Sequence, residues 1–255
     1  MKAMILAAGV GSRLRPITDG IPKALVDVGG VPMIERVVRR LQAAGVTELV
    51  VNLFHLGDRI VEFVASKPDF GLGIAFTREA ELLDTGGGLK NAAWFFDDGR
   101  PFFLHNADVL SDIDLAGMLR FHRSAGALAT LAVQSRPSSR QLLFDCDGLL
   151  RGRETPEGVE WSKGAASGVD RLAFTGIHVI DPAIFSRMTE TGAFPITRTY
   201  LRLAGEGEKI AAYRADGCYW QDIGSREKLE AARQHAAGHT CSAPSPWSGL
   251  TNNKP

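Results

Sequence analysis

The chain has no excess of either charge, because 29 lysines and arginines face 29 aspartates and glutamates. No global field therefore draws in nucleic acid or an acidic membrane, and bound phosphate has to be held by a few local cations and backbone N–H groups. Long hydrophobic runs are missing as well. Stretches such as Leu49–Phe54 fall far short of the roughly 20 residues needed to span a bilayer. Met1-Lys2-Ala3-Met4-Ile5-Leu6 begins like an export signal, but Gly9, Gly11, Arg13 and Arg15 interrupt it before an apolar stretch of usable length forms. Cysteine is scarce. Cys146, Cys218 and Cys241 stand far apart without metal-ligand spacing, and an odd count suits a reducing compartment. They read as packing or tail residues, and the chain reads as cytoplasmic. There is no internal repeat.

What is present is alternation. Lys2–Ala7 is an apolar run ending in glycines, which predicts a buried strand. Pro32–Ala44 carries Ile34, Val37, Val38 and Leu41 at helical spacing, with Gly45 as a stop. Glu48–Phe54, Ile74–Thr77, Phe102–His105 and Ala127–Val133 read as strands, and Asp58–Ser66, Gly88–Phe96 and Leu115–Ser124 as helices between them. Such alternation predicts an α/β fold, a single Rossmann-like domain with a mostly parallel, mixed central sheet flanked by helices. The second half is richer in strand. Asp147-Gly148 is a hairpin turn between Gln141–Phe144 and Leu149–Arg151. Gly152–Asp170 reads as an irregular loop, Ala173–Ile180, Lys209–Tyr213 and Tyr219–Ile223 as strands, and Asp181-Pro182, Ile196–Leu203 and Ser225–His235 as helical. The expected domain covers 1–235, with a change of pattern near 135. Small, polar and Pro/Gly-rich residues over 236–255 predict a disordered tail.

The first strand leads into Leu6-Ala7-Ala8-Gly9-Val10-Gly11-Ser12-Arg13-Leu14-Arg15-Pro16. Its glycines let backbone N–H groups converge on a phosphate, or simply make a tight turn. A dinucleotide fingerprint would want glycine where Leu14 stands, and a Walker loop would close on Gly-Lys-Ser/Thr, which is absent. Arg13, and Lys23 in Pro22-Lys23-Ala24-Leu25, are either solvated surface cations or phosphate ligands, one a planar fork and the other a compact charge.

Residues 5–34, from Ile-Leu-Ala-Ala-Gly-Val-Gly-Ser-Arg-Leu-Arg-Pro-Ile-Thr through Pro-Lys-Ala-Leu-Val to Pro-Met-Ile, resemble the signature of the sugar-phosphate nucleotidyltransferases. The resemblance implies that Leu6, Ala7, Ala8, Gly9, Gly11 and Ser12 cradle a nucleoside triphosphate, with Arg13 toward its β/γ end. It implies that Lys23 bridges the reacting phosphates. Arg15 matches a variable position and ranks lower.

Two aspartates extend the match. Phe102-Phe103-Leu104-His105-Asn106-Ala107-Asp108 is an apolar strand ending in a carboxylate, and ligands of parallel sheets sit beyond such ends. Asp108 suits Mg²⁺, which takes one or two carboxylates plus phosphate oxygens, although a helix cap or turn would also use an aspartate. Asp112 and Asp114 read as caps. Tyr219-Trp220-Gln221-Asp222-Ile223-Gly224 resembles the family's second metal-binding segment, so the resemblance implies Mg²⁺ between Asp108 and Asp222. Ala107 stands where the family usually has glycine, and His105 reads as strand packing. Leu83-Asp84-Thr85-Gly86-Gly87-Gly88 is either a flexible turn or, as the resemblance implies, a nucleobase border made by Thr85, Gly86 and Gly87, with Asn106 adding a nucleotide contact. The resemblance places Asp84, with Thr175 and Gly176 of Phe174-Thr175-Gly176-Ile177, toward the sugar, and so implies a nucleotide-binding half to about 135 and a sugar-binding half over 136–235. Glu154 and Lys163 lie where relatives carry sugar-phosphate ligands, but their context does not match.

The implied reaction makes a nucleotide sugar and pyrophosphate from a nucleoside triphosphate and a sugar 1-phosphate. An already ionised phosphate oxygen needs no general base, so the absence of a nucleophile–base pair is expected. The length leaves no room for an added C-terminal domain. With the Asp-Thr-Gly-Gly-Gly segment, it most resembles members that join UTP to N-acetylmuramic acid 1-phosphate in cell-wall recycling. Guanylyltransferases using GTP with mannose or heptose 1-phosphate come next, then choline-phosphate cytidylyltransferases. A non-catalytic nucleotide-sugar binder would not need Arg13, Lys23, Asp108 and Asp222 together, and Leu14 disfavours a nicotinamide enzyme. A monomer or small homo-oligomer is expected.

Overall fold

The computed structural model describes residues 1–238. Strand β1 (Lys2–Leu6) is followed by a long loop carrying the short helix α1 (Ile17–Gly20) and the two-residue strands β2 (Asp27–Val28) and β3 (Val31–Pro32). Helix α2 (Met33–Ala43), β4 (Glu48–Leu53), α3 (Gly57–Ala65), β5 (Gly73–Arg78), α4 (Asp84–Asn91), β6 (Phe102–Asn106), β7 (Val109–Ser111), α5 (Leu115–Ala125) and β8 (Ala129–Gln134) complete the first half. The second half holds β9 (Gln141–Phe144), β10 (Leu150–Thr155), β11 (Gly158–Trp161), β12 (Asp170–Ile180), α6 (Ile196–Gly205), β13 (Ile210–Arg214), β14 (Trp220–Asp222) and α7 (Arg226–Gly238).

One ten-stranded mixed sheet runs β11-β10-β9-β12-β6-β1-β4-β5, and β8 pairs with both β12 and β13. β1 lies between β4 and β6, parallel to both, and β12 runs antiparallel against β6. Side chains of a strand alternate between faces, so a sheet covered on both sides needs apolar residues at every position. β1 meets that demand. Ala3 and Ile5 pack with Ile34, Val37, Val38 and Leu41 of α2 and with Met118 of α5. Met4 faces the other way, into a core with Leu89 of α4 and Tyr200 and Leu203 of α6. Each fully buried aliphatic side chain of this kind contributes roughly 1.5–3 kcal/mol.

Three elements differ from the expectations. The first part of the segment 152–170 is strand, because β10 and β11 form a polar hairpin at the sheet edge, while 162–169 is irregular as expected. Arg153 pairs with Glu160 across it, and Arg171 of β12 pairs with Glu154. An edge hairpin wet on its outer side needs no apolar alternation, so the period-two signal is absent. Helix α4 begins at Asp84, and the glycine run lies inside it rather than ahead of it. Helix α7 runs through Gly238, with Ala236 buried, three residues past the expected end. The remaining tail, 239–255, lies outside the described residues, as does Cys241. Other local signals agree with the structure. Asp181 caps the turn that Pro182 opens, Asp114 caps α5, and Ser225 Oγ accepts from Lys228 N–H at the start of α7. Asp112 is a brace instead of a helix cap, its carboxylate accepting the Tyr219 N–H at 2.7 Å.

Burial keeps three histidines neutral. His178 bonds Tyr200 Oη at 2.8 Å and His122 bonds Thr130 Oγ1 at 2.9 Å. Desolvation lowers His178 to about 3, and His122 and His105 to about 4, from 6.5. Above pH 6.5 the rings are neutral folded or unfolded. Below it the unfolded chain binds protons that the folded chain refuses, so stability falls as pH drops from 6.5 toward 4. Each ring contributes on the order of 1.4 kcal/mol per pH unit. Urea-unfolding midpoints should fall across this window, and His122→Gln should remove its share of the slope. A midpoint that does not move there would contradict neutral buried rings.

Candidate active site

The parallel register sets three residues side by side at one edge of the sheet. Leu6, the last residue of β1, lies opposite Asn52 of β4 on one side and Asn106 of β6 on the other. The loop that leaves β1 passes over this edge. Asn52 Oδ1 accepts the Ala7 N–H at 2.7 Å, and its Nδ2 donates to Glu79 Oε1 at 2.7 Å. Glu79 Oε2 in turn accepts the Leu83 N–H at 3.0 Å. This chain of buried hydrogen bonds ties the start of the glycine loop to the start of α4.

Gly11 sits at φ +68°, and a Cβ there would meet Thr18 Cγ2 at 2.9 Å and Lys23 Cβ at 3.2 Å. The position therefore demands glycine for its backbone and for its closeness to Lys23. Leu14, where a dinucleotide fingerprint would need glycine, is fully buried against Val26, Met33 and Leu229. Lys23, in a short turn after Pro22, forms an ion pair with Asp108.

Asp108 and Asp222 come together through β7 and β14. Asp222 lies opposite Val109, and the Ile223 N–H donates to the Asp108 carbonyl at 3.0 Å. Asp222 Oδ1 accepts the Gly224 N–H at 2.8 Å, while Oδ2 pairs with Lys228 of α7. A Cβ on Gly224 would lie 2.5 Å from Asp222 Oδ1 and 3.0 Å from Arg13 Nη2, so this glycine lets Arg13 approach the carboxylate. The donors are two carboxylates, Asp222 on β14 and Asp108 just ahead of the partner strand β7, each accompanied by a lysine. Among the described residues no three His, Cys, Asp or Glu side chains group as a metal cage. Such a donor set suits a hard cation completed by substrate oxygens.

Two cavities adjoin these residues. One of about 560 Å³ is lined by Leu6, Ala7, Ala8 and Gly9, by Lys23 and Asn52, and by Thr85, Asn106 and Asp108. Another of about 850 Å³ is lined by Arg136, Arg140, Glu154, Phe174, Trp220, Asp222 and Lys228. Asp84, held at φ +58° with its carboxylate accepting the Thr85 N–H, belongs to both linings.

Some expected ligands lie elsewhere. The Thr175 hydroxyl is buried and donates to the Ala132 carbonyl at 2.8 Å, so it does not face a sugar. Gly176, at φ +79°, lines neither cavity. A Cβ there would meet Asn106 Nδ2 at 2.4 Å, so its bareness positions Asn106. Gly86 and Gly87 also stand outside both linings, with their N–H groups bonded to the Phe194 carbonyl at 2.8 and 3.3 Å. Gly11 and Ser12 line neither cavity. His105 is fully buried, its Nδ1 2.8 Å from the Asn106 carbonyl oxygen, in keeping with strand packing.

Arg136, Asn52, Glu79 and Lys228 went unnoticed in the sequence. Arg136 follows β8, and its guanidinium lies 3.7 Å over the Trp220 ring and donates to the Phe174 carbonyl at 3.1 Å. Burial lowers its pKa while the Asp222 charge opposes that fall. Asn52 did leave a signal, because a polar residue in the apolar run Leu49–Leu53 asks for a partner.

A glycine loop at the carboxyl edge of the sheet, a lysine and an arginine beside it, and paired carboxylates between two cavities define a phosphate-binding, metal-compatible site of the group-transfer kind. The sequence profile of the nucleotidyl transferase family matches residues 2–238, and the chain belongs to that family. It is 34% identical over 240 residues to the N-acetylmuramate alpha-1-phosphate uridylyltransferase of Neisseria meningitidis, covering 91% of this chain and 97% of that protein. It is 32% identical over 232 residues to a probable mannose-1-phosphate guanylyltransferase of Oryza sativa, covering 88% of this chain but only 61% of the length of that relative. A putative glucose-1-phosphate thymidylyltransferase from Bacillus anthracis, solved with sucrose, shares the fold with a TM-score of 0.77 at 23% identity, over 92% of this chain and 95% of that one. No helix among the described residues is long and apolar enough to cross a membrane.

The buried relay has a direct test. Asn52→Ala strands the Ala7 N–H and one Glu79 oxygen, at a cost of about 1–3 kcal/mol in stability. KM for the nucleotide should rise more than KM for the second substrate, measured by steady-state kinetics beside thermal melts. Equal effects on both KM values would argue against a role confined to the nucleotide side.

Proposed function

We propose that the chain joins UTP to N-acetylmuramic acid 1-phosphate, releasing pyrophosphate and forming the UDP-activated sugar. The observation that carries the reading is the pair of cavities meeting at Asp84, with Asp108 lining one and Asp222 the other. One lining offers the glycine loop and Lys23 to a nucleotide, and the other offers arginines, Lys228 and aromatic faces to a sugar phosphate. The relative matched over 97% of its length supports uridine and N-acetylmuramate. GTP with mannose 1-phosphate is the second reading, supported by the guanylyltransferase match. Residues up to about 135 serve the nucleotide in this reading, and 136–235 serve the sugar phosphate. The reaction belongs in the cytoplasm, where nucleoside triphosphates are made.

In the proposed mechanism a sugar-phosphate oxygen attacks the α-phosphorus in line. The new P–O bond forms as the bond to the β-phosphate oxygen breaks, and pyrophosphate departs with the bonding electrons. Catalysis here is positioning and charge neutralisation. Mg²⁺ held by Asp108 and Asp222, when bound, supplies positive charge to the α-phosphate and the sugar phosphate. Lys23 leaves Asp108 for the phosphate oxygens and offsets the charge that grows on them. Arg13, beside Gly224, and the backbone of Ala8 and Gly9 hold the departing pyrophosphate. Asp84 lies where the nucleotide and sugar phosphate meet and orients the sugar. Thr85 anchors the nucleobase border through its hydroxyl, which accepts the Ile196 N–H at 2.9 Å.

Pyrophosphate release, with four nucleoside triphosphates crossed against N-acetylmuramic acid, N-acetylglucosamine, glucose, mannose and heptose 1-phosphates, tests the reading. Turnover is expected with UTP and the muramic acid substrate in Mg²⁺. Asp108→Asn should abolish it, and Lys23→Met should lower kcat by about 10²–10³-fold. Turnover only with GTP and mannose 1-phosphate would establish the second reading.

A further inference from the structure

The larger cavity is lined by charges of both signs, and most of them are matched. Lys228 pairs with Asp222, Arg153 with Glu160, and Glu154 with Arg171. Two lining arginines, Arg136 and Arg140, have no carboxylate within ion-pair distance among the described residues. They lie four residues apart on the loop between β8 and β9, at different depths. Arg136 is the inner one, stacked on Trp220, with its Nε buried and unpartnered and the charge of Asp222 close enough to act on it. Arg140 is exposed at the rim, on the side of the β10–β11 hairpin, where its charge acts on Glu157. Ser138 holds the backbone beneath Arg140, donating to its carbonyl at 2.8 Å and accepting its N–H at 3.3 Å.

This arrangement has a direction. A sugar phosphate seated with its anionic end at Asp222 and Arg136, as the proposed function requires, points the far side of its ring toward Arg140. A neutral sugar would leave that guanidinium unused. A carboxylate there would meet a planar fork with its donors free. We infer that Arg140 reads an acidic substituent remote from the anomeric carbon, so the substrate class is the sugar 1-phosphates that carry a carboxylate. The inference rests on the proposed function and narrows it. N-acetylmuramic acid fits, because it differs from N-acetylglucosamine by a lactyl ether whose carboxylate is ionised at neutral pH.

The two sugars make a matched pair for the test. With the full chain, UTP and Mg²⁺, kcat/KM is measured for N-acetylmuramic acid 1-phosphate and N-acetylglucosamine 1-phosphate, and their ratio is the readout. Arg140→Met should lower the ratio roughly five- to tenfold, the range for one partly exposed charge pair. Arg140→Lys should recover part of it, Arg140→Glu should lower it further, and added salt should compress it in the wild type but not in Arg140→Met. Thermal melts identify any variant that fails to fold, and the salt dependence of the wild type still scores the claim without one. A ratio equal in wild type and Arg140→Met, and indifferent to salt, overturns the role of Arg140 while leaving the muramic acid substrate standing. Turnover confined to neutral sugars overturns the acidic class while leaving nucleotidyl transfer standing. No turnover with any sugar overturns the underlying reading, and this inference with it.

Discussion

The candidate site depends on the pairing of β7 with β14. Asp108 and Asp222 are far apart in the chain, and the hydrogen bond from the Ile223 N–H to the Asp108 carbonyl sets them side by side. Asp112 reinforces the joint by accepting the Tyr219 N–H, and its own N–H donates to the Tyr219 carbonyl at 3.2 Å. In a chain of zero net charge no background field offsets the two carboxylates. Lys23 and Lys228, from opposite ends of the chain, supply that offset locally. The site thus carries its charge balance within itself, one lysine to each carboxylate.

A second constraint sits at the other end of the smaller cavity. The relay from Ala7 through Asn52 and Glu79 to Leu83 is buried, so each donor and acceptor in it needs its partner. It also accounts for Gly88 in the glycine run of α4, and other close neighbours account for the two glycines before it. A Cβ on Gly88 would lie 2.8 Å from Glu79 Oε1, one on Gly87 2.6 Å from the Gly192 carbonyl, and one on Gly86 2.3 Å from the Phe194 ring. Glycine is unfavourable in helices by about 1 kcal/mol relative to alanine. Here three successive ones persist because neighbouring groups occupy the space of the missing side chains.

The alternation of strand and helix was readable because a sheet covered on both faces imposes apolar residues at every strand position, as in β1. The reaction class was readable because Gly11, Lys23, Asp108 and Asp222 stand in stretches that resemble the family's signature. The edge hairpin β10–β11 was not, since its stability comes from pairing and from ion pairs such as Arg153–Glu160 rather than from burial. Arg136 and Lys228 escaped notice for a related reason. A cation at the end of a strand or on the first turn of a helix looks like any solvated residue until the fold brings a carboxylate or an aromatic face against it.

Thr175 and Gly176 show why a recognised motif does not by itself assign contacts. Their segment matches a stretch placed beside the sugar, yet the Thr175 hydroxyl is committed to β8 and Gly176 serves the approach of Asn106. The segment still shapes the site. The Thr175 carbonyl accepts the Trp220 indole N–H at 2.8 Å, and Trp220 in turn supports the guanidinium of Arg136. A residue order can therefore be held in place by the geometry it gives to others.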